Sequence, residues 1–290
     1  MGLIYARKSP DIQKEICEIV KKYFNHPQKT GLRDTLRDVR RVCSLQNSVQ
    51  ASIVFDDCPV YGGVPVLRNY KQRENYQLLK NNDFWCGYDN TKRNPIWTAY
   101  QLSAPENSPL EERLLSFETD LRTRARVTSA EYIGSGFDRG QMAPAHGIAS
   151  NGDEKIQKDT FLMSNVTPRQ HGLNAGIWKD FELLELKKYA PRYQKIWVIT
   201  GPVFKRNEIH ELPSGVLIPA AFYKIYIDET AGRVVVMALL IPQQQAGSEK
   251  PEYFLVSVNE IESLTALDFF TDFSEEEQEK IESTTAPRLW

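Results

Sequence analysis

One helix pattern, over residues 174–189, lies among short apolar segments that precede and follow it along the chain. These segments are rich in β-branched and aromatic residues and have the lengths of strands. They cover residues 51–55, 94–102, 195–200, 217–227, 233–241 and 253–258. Strands on both sides of a central helix, with few regular β–α–β alternations, predict an α+β fold.

The composition is that of a folded globular protein. Of 290 residues, 41% are hydrophobic and 26% are charged, and the 13 Phe, 13 Tyr and 5 Trp argue against disorder. No apolar run approaches the roughly 20 residues that a membrane helix needs. The net charge of −2 is not typical of a general nucleic-acid binder, but a basic patch needs to be only local. Composition therefore neither supports nor excludes an enzyme that acts on nucleic acids.

Cysteine usage and the N-terminal segment bear on the cellular compartment. Cys17, Cys43, Cys58 and Cys86 form no CxxC pair and no Cys/His cluster with zinc spacing, which argues against a zinc site. They could form two disulfides in an oxidising compartment, a question that the sequence leaves open. The N-terminal segment has no apolar stretch of the signal-peptide type. A cytoplasmic protein is expected, and the alternative is a secreted or periplasmic protein whose leader has been removed.

Residues 1–48 differ in texture from the rest of the chain. Ser9 and Pro10 are typical of a helix start, and apolar residues then follow helical spacing to residue 24 and again over residues 32–43. We therefore predict a helical N-terminal extension over residues 1–48 and a second domain over residues 49–290. The extension is expected to dock on the main core, and the alternative is that it binds a partner or a second subunit.

The chemically informative stretch runs from residue 134 to residue 185. Asp138-Arg139-Gly140 combines a cation with a glycine that permits close backbone approach. Asn174 stands where the helix pattern begins, and a helix N-terminus favours negatively charged ligands. Its side-chain oxygen is also a hard ligand suited to Mg²⁺. Glu182, about 12 Å farther along such a helix, is better placed to hold a metal-bound water than the metal itself.

Three ordered motifs in this stretch resemble the signature of the DNA/RNA non-specific endonucleases, which have the ββα-metal (His-Me finger) nuclease fold. The signature reads Asp-Arg-Gly-His-x-Ala-Pro, then Ser-Asn-x-x-Pro-Gln, then Leu-Asn-x-x-x-Trp. The matching residues are Asp138-Arg139-Gly140, Ala143-Pro144, Ser164-Asn165, Pro168, Leu173-Asn174 and Trp178. The resemblance covers residues 55–273 and implies a central, mostly antiparallel sheet flanked by helices.

The resemblance also implies a mechanism. In the family a single Mg²⁺ is bound by the asparagine that matches Asn174, and the glutamate that matches Glu182 orients a metal-bound water. Mg²⁺ is thus the implied cofactor, with Mn²⁺ or another divalent cation as the alternative. Arg139 is implied to help hold the phosphate, Asn165 to support the loop or the base, and position 141 to carry the general base. The implied substrates are DNA and RNA, cut to 5′-phosphate products; a homodimer is one expected assembly, and no membrane partner is expected.

Gln141 departs from the family at the decisive place, because it stands where the signature has histidine. A glutamine amide can position a water but cannot take its proton near neutral pH. Losing a general base typically costs on the order of 10²–10⁴-fold in rate. Either the glutamine is an engineered knock-out, or the chain is a natural member that is catalytically dead or uses another base. His146 and His171 are the candidate substitutes, and a surface or loop role is the favoured interpretation for both.

A second departure is Arg169, which follows the proline of the second motif where the family has glutamine. Gln170 is displaced by one position. Any contact that the family glutamine makes is therefore in doubt here.

Arg122, Arg124 and Arg126 form a basic stretch outside the motifs. On a strand, alternate residues would share one side and could face phosphates. The alternative is a solvated loop balanced by acidic neighbours. The residues predicted to bind substrate are Asp138, Arg139, Arg122 and Arg124.

The leading interpretation is a Mg²⁺-dependent, sugar-non-specific endonuclease that Gln141 inactivates or cripples. The alternative is a naturally dead homologue that binds nucleic acid or has a regulatory role. A phosphodiesterase acting on small nucleotides is a third hypothesis.

Overall fold

The computed structural model of this chain describes residues 59–68, 74–104, 116–149, 154–205, 209–230, 233–244 and 250–290. The chain divides into two compact units, Met1–Cys58 with Asp272–Ser274 and Pro59–Thr271 with Glu275–Trp290. All elements below belong to the second unit. The predicted helical extension over residues 1–48, the predicted strand at 51–55, and Cys17, Cys43 and Cys58 lie outside the described residues.

The described residues form strands and short helices. The strands are β1 (Val66–Leu67), β2 (Tyr76–Lys80), β3 (Phe84–Asp89), β4 (Asn94–Ser103), β5 (Asp138–Gln141), β6 (Val166–Arg169), β7 (Lys195–Val203), β8 (His210–Glu211), β9 (Leu217–Ile218), β10 (Ala221–Thr230), β11 (Arg233–Pro242), β12 (Leu255–Val256) and β13 (Leu267–Asp268). The α-helices are α1 (Ala145–Ala149), α2 (Glu154–Asp159), α3 (His171–Ala175), α4 (Ile177–Leu184), α5 (Ala190–Tyr193), α6 (Val258–Thr265) and α7 (Glu275–Glu282). Short 3₁₀ helices occur at Ser129–Tyr132, Met163–Asn165 and Pro251–Phe254, and a π-helical turn, Glu185–Tyr189, joins α4 to α5.

A seven-stranded sheet organises the unit, in the order β12-β11-β10-β7-β4-β3-β2. Every neighbouring pair in it is antiparallel. The predicted α+β class, with a central antiparallel sheet flanked by helices, is confirmed. None of the helices in the described part of the chain is long and apolar enough to cross a membrane.

Both faces of the sheet are packed against other elements, and side chains alternate between the faces along each strand. On β10, the Phe222 ring lies 5.5 Å from the Trp178 ring of α4. The next residue, Tyr223, points the other way and lies 5.8 Å from the Phe269 ring. Consequently β10 is buried over most of its length. Its side chains on the α4 side pack beneath the motif residues.

The predicted strands at 94–102, 195–200 and 233–241 are confirmed as β4, β7 and β11. The predicted strand at 217–227 is divided at Pro219-Ala220, because a proline cannot donate a ladder hydrogen bond; β9 pairs with β8 instead. The predicted strand at 253–258 is wrong in most of its length. Ser257 caps α6 in a capping box with Glu260, and only Leu255–Val256 remains a strand.

A cavity of about 390 Å³ beside α6 and α7 is lined mainly by carboxylates and by Arg68. Glu282, at the end of α7, is 5% exposed, and its Oε1 has no hydrogen-bond partner among the described residues. Burial raises the pKa of Glu282 to about 8, and the negative charges of Glu262 and Asp268 add to the shift.

This shift predicts a pH-dependent stability. A carboxyl whose folded-state pKa lies above the ordinary value of 4.5 stabilises the fold most below that value, and the contribution is lost as the pH rises through about 8. We therefore expect Glu282→Gln to raise the melting temperature at about pH 9 and to leave it nearly unchanged at about pH 5. Thermal unfolding across this range measures the effect, and a shift independent of pH would contradict it.

Candidate active site

The motif residues lie on a β–β–α unit made of β5, β6 and α3. Strands β5 and β6 are antiparallel, with Asp138 opposite Arg169 and Gly140 opposite Thr167. Directly opposed residues of an antiparallel pair share a face, so Asp138 and Arg169 lie side by side. Because α3 follows β6 almost at once, it brings Asn174 to the same two residues.

Asp138 joins the candidate metal ligand to a histidine. The Asn174 side chain donates from Nδ2 to Asp138 Oδ2 over 3.1 Å, and His171 Nδ1 lies 2.9 Å from the same oxygen. The His171 side chain is 80% exposed. The structure thus places one of the two candidate substitute bases in the site. The other candidate, His146, lies on α1. Within the described ranges it has no hydrogen bond to the side chains of Asp138, Asn174 or His171.

The predicted position of Asn174 in its helix is wrong. Helix α3 begins at His171, so Asn174 lies near its C-terminal end, and its backbone N–H already donates to the carbonyl four residues earlier, over 2.9 Å. The helix is interrupted at Gly176, where a Cβ would lie 2.5 Å from the backbone oxygen of Gly172. Glu182 therefore lies on a separate helix, and the spacing expected for one continuous helix does not apply.

Arg169 occupies the centre of the site. It is 1% exposed, and its Cζ lies 3.9 Å from the Trp178 ring centre and 4.9 Å from that of Phe222. Its Nη1 donates to Asn174 Oδ1 over 3.0 Å, and its Nη2 donates to the backbone oxygen of Gln141 over 3.0 Å. Burial lowers the pKa of Arg169 to about 10, so the side chain is still a cation at neutral pH. The sequence marked it only as a mismatch.

Gly140 leaves the room that Arg169 needs. A Cβ at Gly140 would lie 2.8 Å from side-chain atoms of Arg169, which the neighbouring rings hold in place. We expect Gly140→Ala to lower the free energy of unfolding by about 1–3 kcal/mol. Gly172→Ala is the matched control, because a Cβ there on α3 meets nothing within 4 Å and alanine is the better helix former. Urea unfolding compares the two variants, and equal losses would count against the packing argument.

Glu182 lies on α4 beside this arginine. Its Oε1 accepts a hydrogen bond from Trp178 Nε1 over 2.8 Å. Burial raises the pKa of Glu182, and the positive charges of Lys224 and Arg169 oppose the shift. Among the hydrogen bonds of the described residues, none joins Glu182 to Asn174.

Glu185 forms a buried network under the site that was not predicted. Its Oε1 accepts from Lys224 Nζ over 2.6 Å, and both side chains are 0% exposed. Tyr226 and Tyr100 donate hydroxyl hydrogen bonds to its two carboxylate oxygens, each over 2.9 Å. The alternation of Phe222, Lys224 and Tyr226 along one strand was the available signal, because it places a lysine on an otherwise aromatic face.

Gln141 and Asn165 meet at one backbone oxygen. Gln141 Nε2 and Asn165 Nδ2 each donate to the oxygen of Thr160, over 2.9 Å. The other end of the Asn165 amide accepts from Ala143 N over 2.9 Å. Asn165 is fully buried and ties the segment after β5 to the segment before β6. Its supporting role in catalysis stays a prediction.

The arginines predicted to bind substrate are engaged by the protein itself. Arg139 donates to the backbone oxygen of Ser129 over 2.6 Å, and in the described part of the chain it has no hydrogen bond to Asn174. Arg122 pairs with Asp120 over 2.7 Å, and Arg124 donates to a backbone oxygen over 2.6 Å. Residues 121–125 form turns and bends and residues 126–128 have no regular structure, so the strand alternative is wrong. Contact of these residues with phosphate stays a prediction.

The donor atoms of the site suit a hard divalent cation. Asn174 offers an amide oxygen and Glu182 a carboxylate able to hold a water, which are ligand types that Mg²⁺ accepts. No three His, Cys, Asp or Glu side chains among the described residues are grouped as a metal site. The candidate direct ligand is the Asn174 amide oxygen that the family resemblance implies. Arg169 donates to that same oxygen, and a cation bound there would share it with a guanidinium.

Comparison with known proteins identifies relatives of this chain. The family model described as DNA/RNA non-specific endonuclease matches residues 67–276. Human mitochondrial endonuclease G is 32% identical over 223 residues, which cover 71% of each chain. A nuclease of Nostoc sp. is 27% identical over 221 residues, which cover 72% of this chain and 78% of the relative.

A solved structure shares the fold. A chain from the crystal structure of the EndoG/EndoGI complex superposes with a TM-score of 0.62 at 24% identity, over 69% of this chain and 87% of that chain. The predicted ββα-metal nuclease fold is confirmed, and β5, β6 and α3 form its β–β–α unit.

Proposed function

Because this chain belongs to the DNA/RNA non-specific endonuclease family, we propose that it is a Mg²⁺-dependent endonuclease that hydrolyses phosphodiester bonds of DNA and RNA. The proposed products carry 5′-phosphate ends, and Mn²⁺ is the proposed substitute for Mg²⁺. With Gln141 at the position of the general base, this chain is proposed to be a much weakened form of the enzyme.

The observation that carries the proposal is the convergence of Asp138, Asn174 and Arg169 on the β–β–α unit. The Asp138 carboxylate accepts from Nδ2 of Asn174, which fixes the amide with its oxygen directed away from Asp138. This orientation makes Asn174 Oδ1, which also accepts from Arg169 Nη1, the amide atom able to bind a cation.

A divalent cation in this site would be held by Asn174 Oδ1, with one of its waters held by Glu182. Bound there, it would stabilise the negative charge that develops on the phosphate and on the leaving oxygen. Contacts of this kind are made to the phosphate backbone and carry little information about the bases. Low sequence specificity is therefore part of the proposal.

Gln141 is the reason for the proposed loss of activity. Its side-chain nitrogen donates to the backbone oxygen of Thr160, and a neutral amide has no basicity near neutral pH. The residue can thus hold a water but cannot remove its proton. The neighbouring hydrogen bonds of Asn165 and Arg169 do not depend on which side chain stands at position 141. Their acceptors are backbone oxygens, that of Thr160 for Asn165 and that of Gln141 for Arg169.

A homologue that binds nucleic acid without cutting it is the second candidate. Two observations favour it: Gln141 is accommodated by a regular hydrogen bond, and Arg169 places a fixed positive charge in the site. Such a protein would retain affinity for nucleic acid and would gain no cleavage from a histidine at position 141.

Cleavage assays on this chain and on Gln141→His test the proposal, with plasmid DNA and a long RNA as substrates. Ligation of the DNA products without prior phosphorylation detects 5′-phosphate ends. Cleavage by the variant supports the enzyme. Tight binding without cleavage by either protein would favour the second candidate, and neither binding nor cleavage would contradict both.

A further inference from the structure

A buried cation stands against the candidate metal ligand. Arg169 Nη1 donates to Asn174 Oδ1 over 3.0 Å, while the other amide atom, Nδ2, donates to Asp138. A rotated amide would direct its nitrogen at the guanidinium and its oxygen at the carboxylate, which is unfavourable at both ends. The ligand oxygen therefore faces Arg169 by necessity.

Arg169 is held firmly in this position. The Trp178 and Phe222 rings flank its guanidinium at 3.9 and 4.9 Å, an arrangement that stabilises a cation over aromatic faces. The backbone oxygen of Gln141 accepts from Nη2, and Gly140 packs against the side chain. A rotation away from Asn174 would break these contacts together.

The charge of Arg169 is not neutralised by a direct partner. No Asp or Glu side chain in the described part of the chain lies within 4.0 Å of its guanidinium nitrogens. The carboxylates of Glu182 and Asp138 act on it through space, and each accepts a hydrogen bond from another residue, Trp178 and Asn174 respectively. Consequently the positive charge is felt at Asn174 Oδ1, where a divalent cation would have to bind.

We propose that Arg169 is a resident cation that lowers the affinity of this site for a divalent metal ion. It does so by occupying one lone pair of Asn174 Oδ1 and by repelling a second positive charge at close range. Arg169 is a positioning residue, since it acts through Asn174. The inference rests on the proposed function, because it concerns the metal site that this function requires.

A neutral side chain at position 169 is expected to raise the affinity of the site for a divalent cation. Arg169→Gln removes the charge, and we expect it to tighten Mn²⁺ binding by about tenfold or more. Arg169→Met is also neutral and fills the space between the two rings, so it gives the same readout should the glutamine variant not fold. Arg169→Lys keeps a positive charge at this position, so we expect it to give no such tightening. If Arg169 had a purely structural role, the affinity for Mn²⁺ would change in the opposite direction, and both neutral variants would bind more weakly.

Mn²⁺ titration of the full chain tests this directly. Electron paramagnetic resonance reports the free Mn²⁺ signal, so binding is measured without reference to cleavage, and Asn174→Ala identifies the part that belongs to this site. Tighter, Asn174-dependent binding in a neutral variant supports the proposal. Equal or weaker Asn174-dependent binding in the neutral variants overturns the role of Arg169 and leaves the metal site standing. Absence of Asn174-dependent binding in every variant overturns both the inference and the metal dependence of the proposed function.

Discussion

Gln141→His is expected to raise the rate of Mg²⁺-dependent DNA cleavage by on the order of 10²–10⁴-fold. The imidazole can accept a proton from an attacking water near neutral pH, which the amide cannot do. The backbone at this position is already fixed, because its oxygen accepts from Arg169 and the neighbouring Asn165 holds the adjoining segment. The substitution therefore adds a base to a site whose frame is in place.

The gain should depend on basicity and not on size. Gln141→Asn is the control, since it also changes the length of the side chain but supplies no base, and we expect no gain from it. Single-turnover cleavage of a supercoiled plasmid measures all three proteins. Because the histidine must be neutral to act, the gain should fall as the pH drops below about 6.5. A gain of the same size in the asparagine variant would rule out the base as its cause.

Lys224→Met is expected to lower the free energy of unfolding by about 3–5 kcal/mol. Lys224 and Glu185 form an ion pair in which both side chains are 0% exposed. Removing the lysine leaves a carboxylate buried without its counter-charge, and the two tyrosine hydroxyls that remain bonded to it compensate only in part. Burial of an unpaired charge is among the costliest single changes that a fold can suffer.

Two further variants separate the buried charge from the loss of a side chain. Adding Glu185→Gln to Lys224→Met removes the unpaired charge and keeps an acceptor for the tyrosines, so we expect it to recover at least half of the loss. Lys158→Met breaks a pair with Glu118 in which the side chains are 61% and 52% exposed, and should cost only about 0–1 kcal/mol. Equal losses at Lys224 and Lys158 in urea unfolding would contradict the role assigned to the buried network.

The strands that were predictable are apolar on both faces. Strands β7 and β11 consist of β-branched and aliphatic runs, and such runs are typical of buried strands. Strands β2 and β3 were not predicted, because Tyr76–Lys80 is short and mixes polar with apolar residues and Phe84–Asp89 contains a glycine. That glycine, Gly87, has its reason in tertiary packing, since a Cβ there would lie 2.2 Å from the Trp97 indole. No local pattern carries this information.

The candidate site was predictable in its residues more than in its arrangement. The motifs named Asp138 and Asn174, which the structure joins by a hydrogen bond. The helix was expected to begin at Asn174, but the segment from His171 already forms a helical turn and Gly176 interrupts the continuation. From the sequence, Arg169 could be recognised only as a departure from the family signature. The aromatic rings that surround its guanidinium come from α4 and β10, which are separate segments of the sequence.

Comparing plasmid cleavage by Gln141→His with cleavage by Gln141→His combined with Asn174→Ala tests the central claim most directly. If the β–β–α unit is the catalytic site of a metal-dependent nuclease that lacks only its base, the first protein should cut DNA and the second, at equal concentration and with an unchanged melting temperature, should not. Equal cleavage by both proteins, or none by either while each binds DNA, would contradict the claim.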